Sequence, residues 1–112
     1  MLNKVILQCR LTAHPELRYT TAGTPLTTMH VAHNRRVKQG EELKEEVCFV
    51  EVVAFGKQAE HCSQYLTKGS QVLLEGRLQH QRWEQDGQKR SKHVVVAESV
   101  TFLDKKGEEH AE

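Results

Sequence analysis

No apolar run in this 112-residue chain approaches the roughly 20 residues needed to span a bilayer. The start, Met1-Leu2-Asn3-Lys4-Val5-Ile6-Leu7, also lacks the basic segment, long apolar stretch and small-residue cleavage site of a secretory signal. A soluble cytoplasmic protein is therefore expected. Cysteine is sparse: Cys9, Cys48 and Cys62 are odd in number, widely spaced, and form no Cys-x-x-Cys or paired Cys/His pattern. That disfavours a disulfide framework and a zinc site. His61-Cys62 has no partner ligands at suitable spacing, so Cys62 reads as a small buried thiol. No metal and no cofactor are expected.

An excess of either charge is missing too, since the formal net charge is only +1. The distribution is uneven: residues 1–40 carry six basic side chains against one acidic, and residues 41–56 one against five. A polyanion would thus be met by a local basic surface rather than a globally basic protein, although solvated faces account for each run equally well.

What is present is β-rich. The length suits one domain, set at residues 1–103, with a short polar and disordered tail at 104–112. Lys4 to Leu11 alternates roughly as a strand does and is interrupted by Pro15. After the turn cluster Thr20-Thr21-Ala22-Gly23-Thr24-Pro25, alternation resumes from Leu26 to Asn34. Lys38 to Glu42 has the polarity and glycine of a hairpin loop, and Val47 to Phe55 is the most strand-like stretch of the chain. Ala59, Cys62 and Leu66 then form the stripe of a short amphipathic helix between Gly56 and Gly69. Ser70 to Arg82 and His93 to Leu103 are the last strands, joined through the turn Gln85-Asp86-Gly87-Gln88. Five strands with one helix between the third and fourth is the element order of an all-β oligonucleotide-binding (OB) barrel. Fold by itself does not establish function.

Side-chain alternation in the third strand puts Cys48, Val50, Val52 and Ala54 on one face and Val47, Phe49, Glu51, Val53 and Phe55 on the other. The first set suits a barrel interior. A buried carboxylate is costly unless paired, so the face bearing Glu51 is the outer one and Phe49 and Phe55 are exposed together. Trp83, in the polar run Gln79 to Gln85, also faces outward. Three exposed rings near Arg35, Arg36, Lys38, Lys57, Arg77 and Arg82 point to single-stranded nucleic acid. Each base offers a π-face worth roughly 1–3 kcal/mol when stacked, and basic groups would follow the phosphates in a salt-sensitive, largely sequence-independent way. Two readings stay open here: Phe49 and Phe55 pack under the helix or another subunit, and Arg35-Arg36 is a solvated hairpin edge.

Several segments in order resemble the bacterial-type single-stranded-DNA-binding protein family over nearly all of positions 1–103: Asn3-Lys4-Val5-Ile6-Leu7, Pro15-Glu16-Leu17-Arg18-Tyr19, Val52-Val53-Ala54-Phe55-Gly56-Lys57, Tyr65 to Val72, Glu75-Gly76-Arg77-Leu78 and Arg82-Trp83. The resemblance implies an OB fold, a homotetramer, and wrapping of single-stranded DNA in replication, recombination and repair, with a cytoplasmic, nucleoid-associated location. It also implies stacking at Phe49, Phe55 and Trp83, with Lys57 and Arg82 beside the DNA path. The chain departs from the family pattern in four places. Phenylalanine stands at 49 where tryptophan is frequent, and Val37 replaces a fourth ring, which implies weaker affinity per nucleotide or a rearranged loop path. Gln8 to His14 replaces a glycine-containing segment. Glu108 to Glu112 is acidic but short and lacks an aromatic end, so recruitment of replication and repair enzymes through such a tip is not expected.

Two other readings compete. A tail-less primosomal replication protein, a dimeric OB adaptor, suits the length, but the Phe55-Gly56-Lys57 and Tyr65-Leu66 segments and Trp83 resemble the tetrameric family more. An enzyme would need carboxylates converging on a metal, whereas Glu41-Glu42 and Glu45-Glu46 lie in a loop-like stretch without fixed ligand geometry. A non-enzymatic binding protein is expected.

Overall fold

The computed structural model describes residues 1–103; the tail expected at 104–112 lies outside the described residues. The elements run β1 (Val5–Leu11), β2 (Glu16–Tyr19), β3 (Pro25–Gln39), β4 (Glu42–Phe55), α1 (Gly56–Tyr65), β5 (Gln71–Gln85) and β6 (Gln88–Phe102). β1 pairs with β5, β5 with β6, β6 with β4 and β4 with β3, and β3 returns to β1 through Arg10↔Ala32 and Leu11↔Val31. Five strands thereby close a barrel, with one parallel contact, β4 on β6 at Val52↔Val95 and Val53↔Val96. The helix falls between the third and fourth barrel strands, as the sequence implies for an OB fold.

β2 is an additional strand, paired along the far edge of β3 from Glu16↔Thr28 to Tyr19↔Pro25. The sequence reading treats this stretch as part of an interruption after Pro15. All four β2 residues are exposed, so no apolar alternation marks the strand; its backbone pairing with β3 alone defines it.

Burial fixes the register of the barrel. Met29 and Val31 of β3, Val52 and Ala54 of β4, Val72 and Leu74 of β5 and Val95 of β6 fill the interior. A full-sized aliphatic side chain gains roughly 1.5–3 kcal/mol on burial, and a one-residue slip of β4 would expose Val52 and Ala54 while turning Glu51 inward. Ala59, Cys62 and Leu66, the stripe expected for the helix, are all buried in the same cluster. Leu66 sits just past the last helical residue, and its N–H donates to the Cys62 carbonyl at 3.0 Å. The buried Thr27 hydroxyl donates to the Ala59 carbonyl at 2.8 Å and ties the helix to β3.

Two further devices shape the ends of the strands. Asn3 extends β1 by pairing its side chain with the Leu78 backbone, Nδ2 donating to the carbonyl at 2.8 Å and Oδ1 accepting from the N–H at 2.9 Å. At Gly76 the β5–β6 ladder shifts register. A Cβ added there would lie 2.1 Å from the Val96 carbonyl oxygen, closer than any real side chain comes, so only glycine lets β6 approach.

β3–β4 and β5–β6 run beyond the barrel as long hairpins, paired out to Gln39↔Glu42 and Gln85↔Gln88. The second turns on Asp86 and Gly87, both at positive φ (52° and 78°), as a two-residue hairpin loop requires. Both faces of these arms meet water, so alternation fades there, and the sequence reading ends β3 and β5 too early and starts β4 and β6 too late. The same extension corrects the placement of Cys48, which parity assigns to the interior: it is exposed, because β4 has already left the barrel at that position. Cys62 is buried as expected, and Cys9 with it. No helix among the described residues is long and apolar enough to cross a membrane.

Candidate nucleic-acid interface

The outer face of β4 carries Phe49, Glu51, Val53 and Phe55, as parity requires. Phe49 is 73% exposed and Phe55 45%. Val53 is an exception to simple exposure: it is buried in a small outer cluster with Val94, Val96 and Leu26. This cluster joins the outer faces of β3, β4 and β6 into one continuous surface.

Register extends that surface to the tryptophan. In β5–β6 the pairs Gln79↔Val94, Gln81↔Lys92 and Trp83↔Arg90 share the face of Val94, because opposed residues of an antiparallel pair point the same way. Trp83 is 40% exposed and therefore opens onto the side of the sheet that holds Phe49 and Phe55. A direct chain of contacts closes the gap. Lys92 Nζ bonds both Glu51 oxygens at 3.1 and 3.0 Å and lies 5.5 Å from the centre of the Trp83 ring. His30 Nε2, opposite Glu51 in register, stands 3.9 Å from its carboxylate. The carboxylate used to orient the face is thus paired as well as outward, with its side chain 22% exposed.

The basic residues expected at the site divide between faces. Arg77 is on the outward side of β5 opposite Val96 and lies 4.0 Å from Glu98. Arg36 shares the outer face of β3 and opposes Glu45. Lys57 is exposed at the start of α1, two residues after Phe55. Arg35, by contrast, points to the other face of the hairpin, where its Nε is 3.4 Å from Glu46. Arg82 also alternates away from Trp83, and its Nε donates to His80 Nδ1 at 3.3 Å. Its side chain nonetheless lines an open groove of about 540 Å³ with Trp83, Lys89 and Arg90. Val37, where no ring is available, is half-buried in the β3 arm.

On the reverse face of the β5–β6 arm, His80 and His93 are paired in register and stacked at 4.5 Å between centroids. Desolvation, then the charges of His93 and Arg82, hold the His80 pKa below the usual imidazole value.

Sequence reasoning missed Lys92 and Arg90. Their signal was present, since counting back from the Asp86-Gly87 turn pairs Trp83 with Arg90 and Gln81 with Lys92. The contact from Lys92 to Glu51, however, spans 41 residues and follows only from the barrel's closure.

The surface so assembled has three accessible rings and scattered cations on one side of an OB barrel. The profile of the single-strand binding protein family matches residues 2–103. The chain is 52% identical over 109 residues to the single-stranded DNA-binding protein of Wolinella succinogenes, covering 96% of this chain and 67% of that one. It is 47% identical over 110 residues to that of Helicobacter pylori, covering 96% and 62%. The chain thus spans about two thirds of the length of these curated relatives. Among solved structures, a deletion mutant of the single-stranded DNA binding protein from Thermus aquaticus superposes with a TM-score of 0.83 at 34% identity, covering 95% of this chain and 52% of that one. A Plasmodium falciparum complex with single-stranded DNA also gives 0.83, at 23% identity over 93% of this chain and 96% of that one, and so speaks to the fold. With the family profile and relatives near half identity spanning all of the barrel, this chain belongs to the single-strand binding protein family.

Proposed function

We propose that this protein binds single-stranded DNA largely without regard to sequence, as a non-enzymatic protein that covers exposed strands in replication, recombination and repair. One observation carries the proposal: Phe49, Phe55 and Trp83, from two strands of the barrel, are all exposed on one continuous outer face. Duplex DNA hides the base faces such rings would meet, whereas a single strand presents them. In this reading bases stack on the three rings. Lys57, Arg36 and Arg77 follow phosphates on the ring side, while Arg35 and Arg82 serve a strand that passes round the edges of the two arms. The names of the curated relatives support the same chemistry.

A homo-oligomer is part of the proposal, a homotetramer with a dimer as the alternative. Ile6, an exposed aliphatic on the outward side of β1, is area that a second copy would cover. The proposed setting is the cytoplasm, at the nucleoid.

Titration with oligo-dT of increasing length, read by Trp83 fluorescence and combined with mass in solution, tests this. Quenching that saturates at a defined number of nucleotides per oligomer is expected. Unchanged emission at saturating DNA would contradict stacking on Trp83, and a stable dimer would count against the tetramer.

A further inference from the structure

The proposed DNA face contains an acid, and its placement is informative. Glu51 sits between Phe49 and Phe55 on β4 and grips Lys92 through both carboxylate oxygens at 3.0–3.1 Å. Lys92 in turn lies over the Trp83 ring. In the free protein the cation that stands over the tryptophan is therefore neutralised, and one side of the indole is approached by an ammonium group where a base would stack. A bare carboxylate in this position would repel a phosphate chain; a carboxylate paired with a lysine does not.

Resting on the DNA-binding reading above, we propose that Glu51 is a resident competitor of the DNA backbone, and that Lys92 exchanges Glu51 for a phosphate when a strand settles on Trp83. The pair is suited to exchange. Lys92 is 41% exposed, and its flexible stem ends in a single hydrated point charge that can rotate to a new acceptor without the geometric demands of a guanidinium. A partly exposed ion pair contributes little net stability, so opening it costs little. His30, 3.9 Å from Glu51, remains beside the carboxylate after Lys92 has left. Glu51 thus lowers the resting affinity and makes Lys92 a binding residue whose contribution is partly hidden.

The exchange makes an unusual demand: removing an acid and removing its partner base must act in opposite directions on binding. Fluorescence polarisation of a labelled oligo-dT, measured from low to moderate salt, reads this for Glu51→Gln, Lys92→Gln and the double variant, with thermal unfolding confirming that each is folded. Glu51→Gln is expected to bind about two- to fivefold tighter, the scale of one partly exposed ion pair. Lys92→Gln should bind more weakly than wild type. In the Glu51→Gln background, adding Lys92→Gln should lower the slope of log affinity against log salt by about 0.7, the value of one phosphate contact on a single strand. Weaker or unchanged binding by Glu51→Gln, or a salt slope indifferent to Lys92 in that background, would overturn the exchange and leave a static pair that merely positions Trp83. A wild-type protein that fails to bind oligo-dT would instead overturn the DNA-binding reading itself.

Discussion

Phe49→Ala separates the two roles open to an aromatic side chain on a strand, packing and stacking. The ring is 73% exposed, so only about a quarter of the roughly 1.5–3 kcal/mol that a fully buried side chain supplies is at stake, roughly 0.4–0.8 kcal/mol. Exchanging phenylalanine for alanine in a strand costs up to about 1 kcal/mol more in strand preference. The sum stays below about 2 kcal/mol. For a domain of this size that corresponds to a fall in Tm of under roughly 15 °C, with the fold intact. On the binding side, one base stacked on an aromatic ring is worth about 1–3 kcal/mol, which at 1.36 kcal/mol per decade is a loss of about five- to 160-fold in affinity.

Polarisation of labelled oligo-dT at fixed length and salt measures the affinity, and calorimetry or circular dichroism the stability. A stacking contact releases no counterions, so the salt slope of Phe49→Ala should equal that of wild type even as affinity falls. Phe49→Trp, which enlarges the π-face at the same position, should bind more tightly than wild type. Wild-type affinity in Phe49→Ala would refute the stacking role, and a far larger loss of stability would show that the ring packs under a partner.

Other outcomes follow from single features of the fold. Gly76→Ala places a methyl 2.1 Å from the Val96 carbonyl and should destabilise the barrel by about 3 kcal/mol, as forced overpacking does; a Tm near wild type would mean that the β5–β6 ladder yields there. In the native protein Cys48 alone should react quickly with a thiol reagent, since it is exposed while burial pushes the Cys9 and Cys62 thiols up to about 11; all three should react in denaturant, and rapid labelling of Cys62 in the folded state would contradict its burial. His80, whose pKa is lowered by desolvation and then by the His93 and Arg82 charges, binds its proton less readily folded than unfolded. Its contribution is therefore neutral to stability above the ordinary imidazole value of 6.5 and turns unfavourable as pH falls below it. A proton NMR titration should show His80 below the ordinary range and rising toward it in His93→Ala; a normal value in wild type would refute the effect of the stack.

Much of this was legible in the amino-acid order because the barrel is written in period two. Val52 and Ala54 face in and Phe49 and Phe55 face out for the same reason, and Ala59, Cys62 and Leu66 mark the helix by a change of period. The errors occur where that code has no reader. β2 has no buried residue, so nothing but its backbone pairing announces it. Cys48 keeps the parity of Val52, but the barrel has ended before it.

Adjacency in sequence also misleads at the site itself. Arg82 touches Trp83 along the chain, yet a strand sends neighbours to opposite faces, and Arg82 is found bonded to His80 on the reverse side. Lys92, nine residues beyond Trp83, is the cation that reaches its ring. What places Lys92 there is the two-residue turn at Asp86-Gly87, which sets the β5–β6 register, together with the parallel contact of Val52 with Val95, which brings β6 beside Glu51. The proposed DNA face depends less on a local motif than on two registers holding at once. A change at the Asp86-Gly87 turn that slipped β6 by one residue against β5, which β1 holds in place, would bring His93 to the ring side in place of Lys92, removing the cation from the tryptophan without altering a single residue on the face.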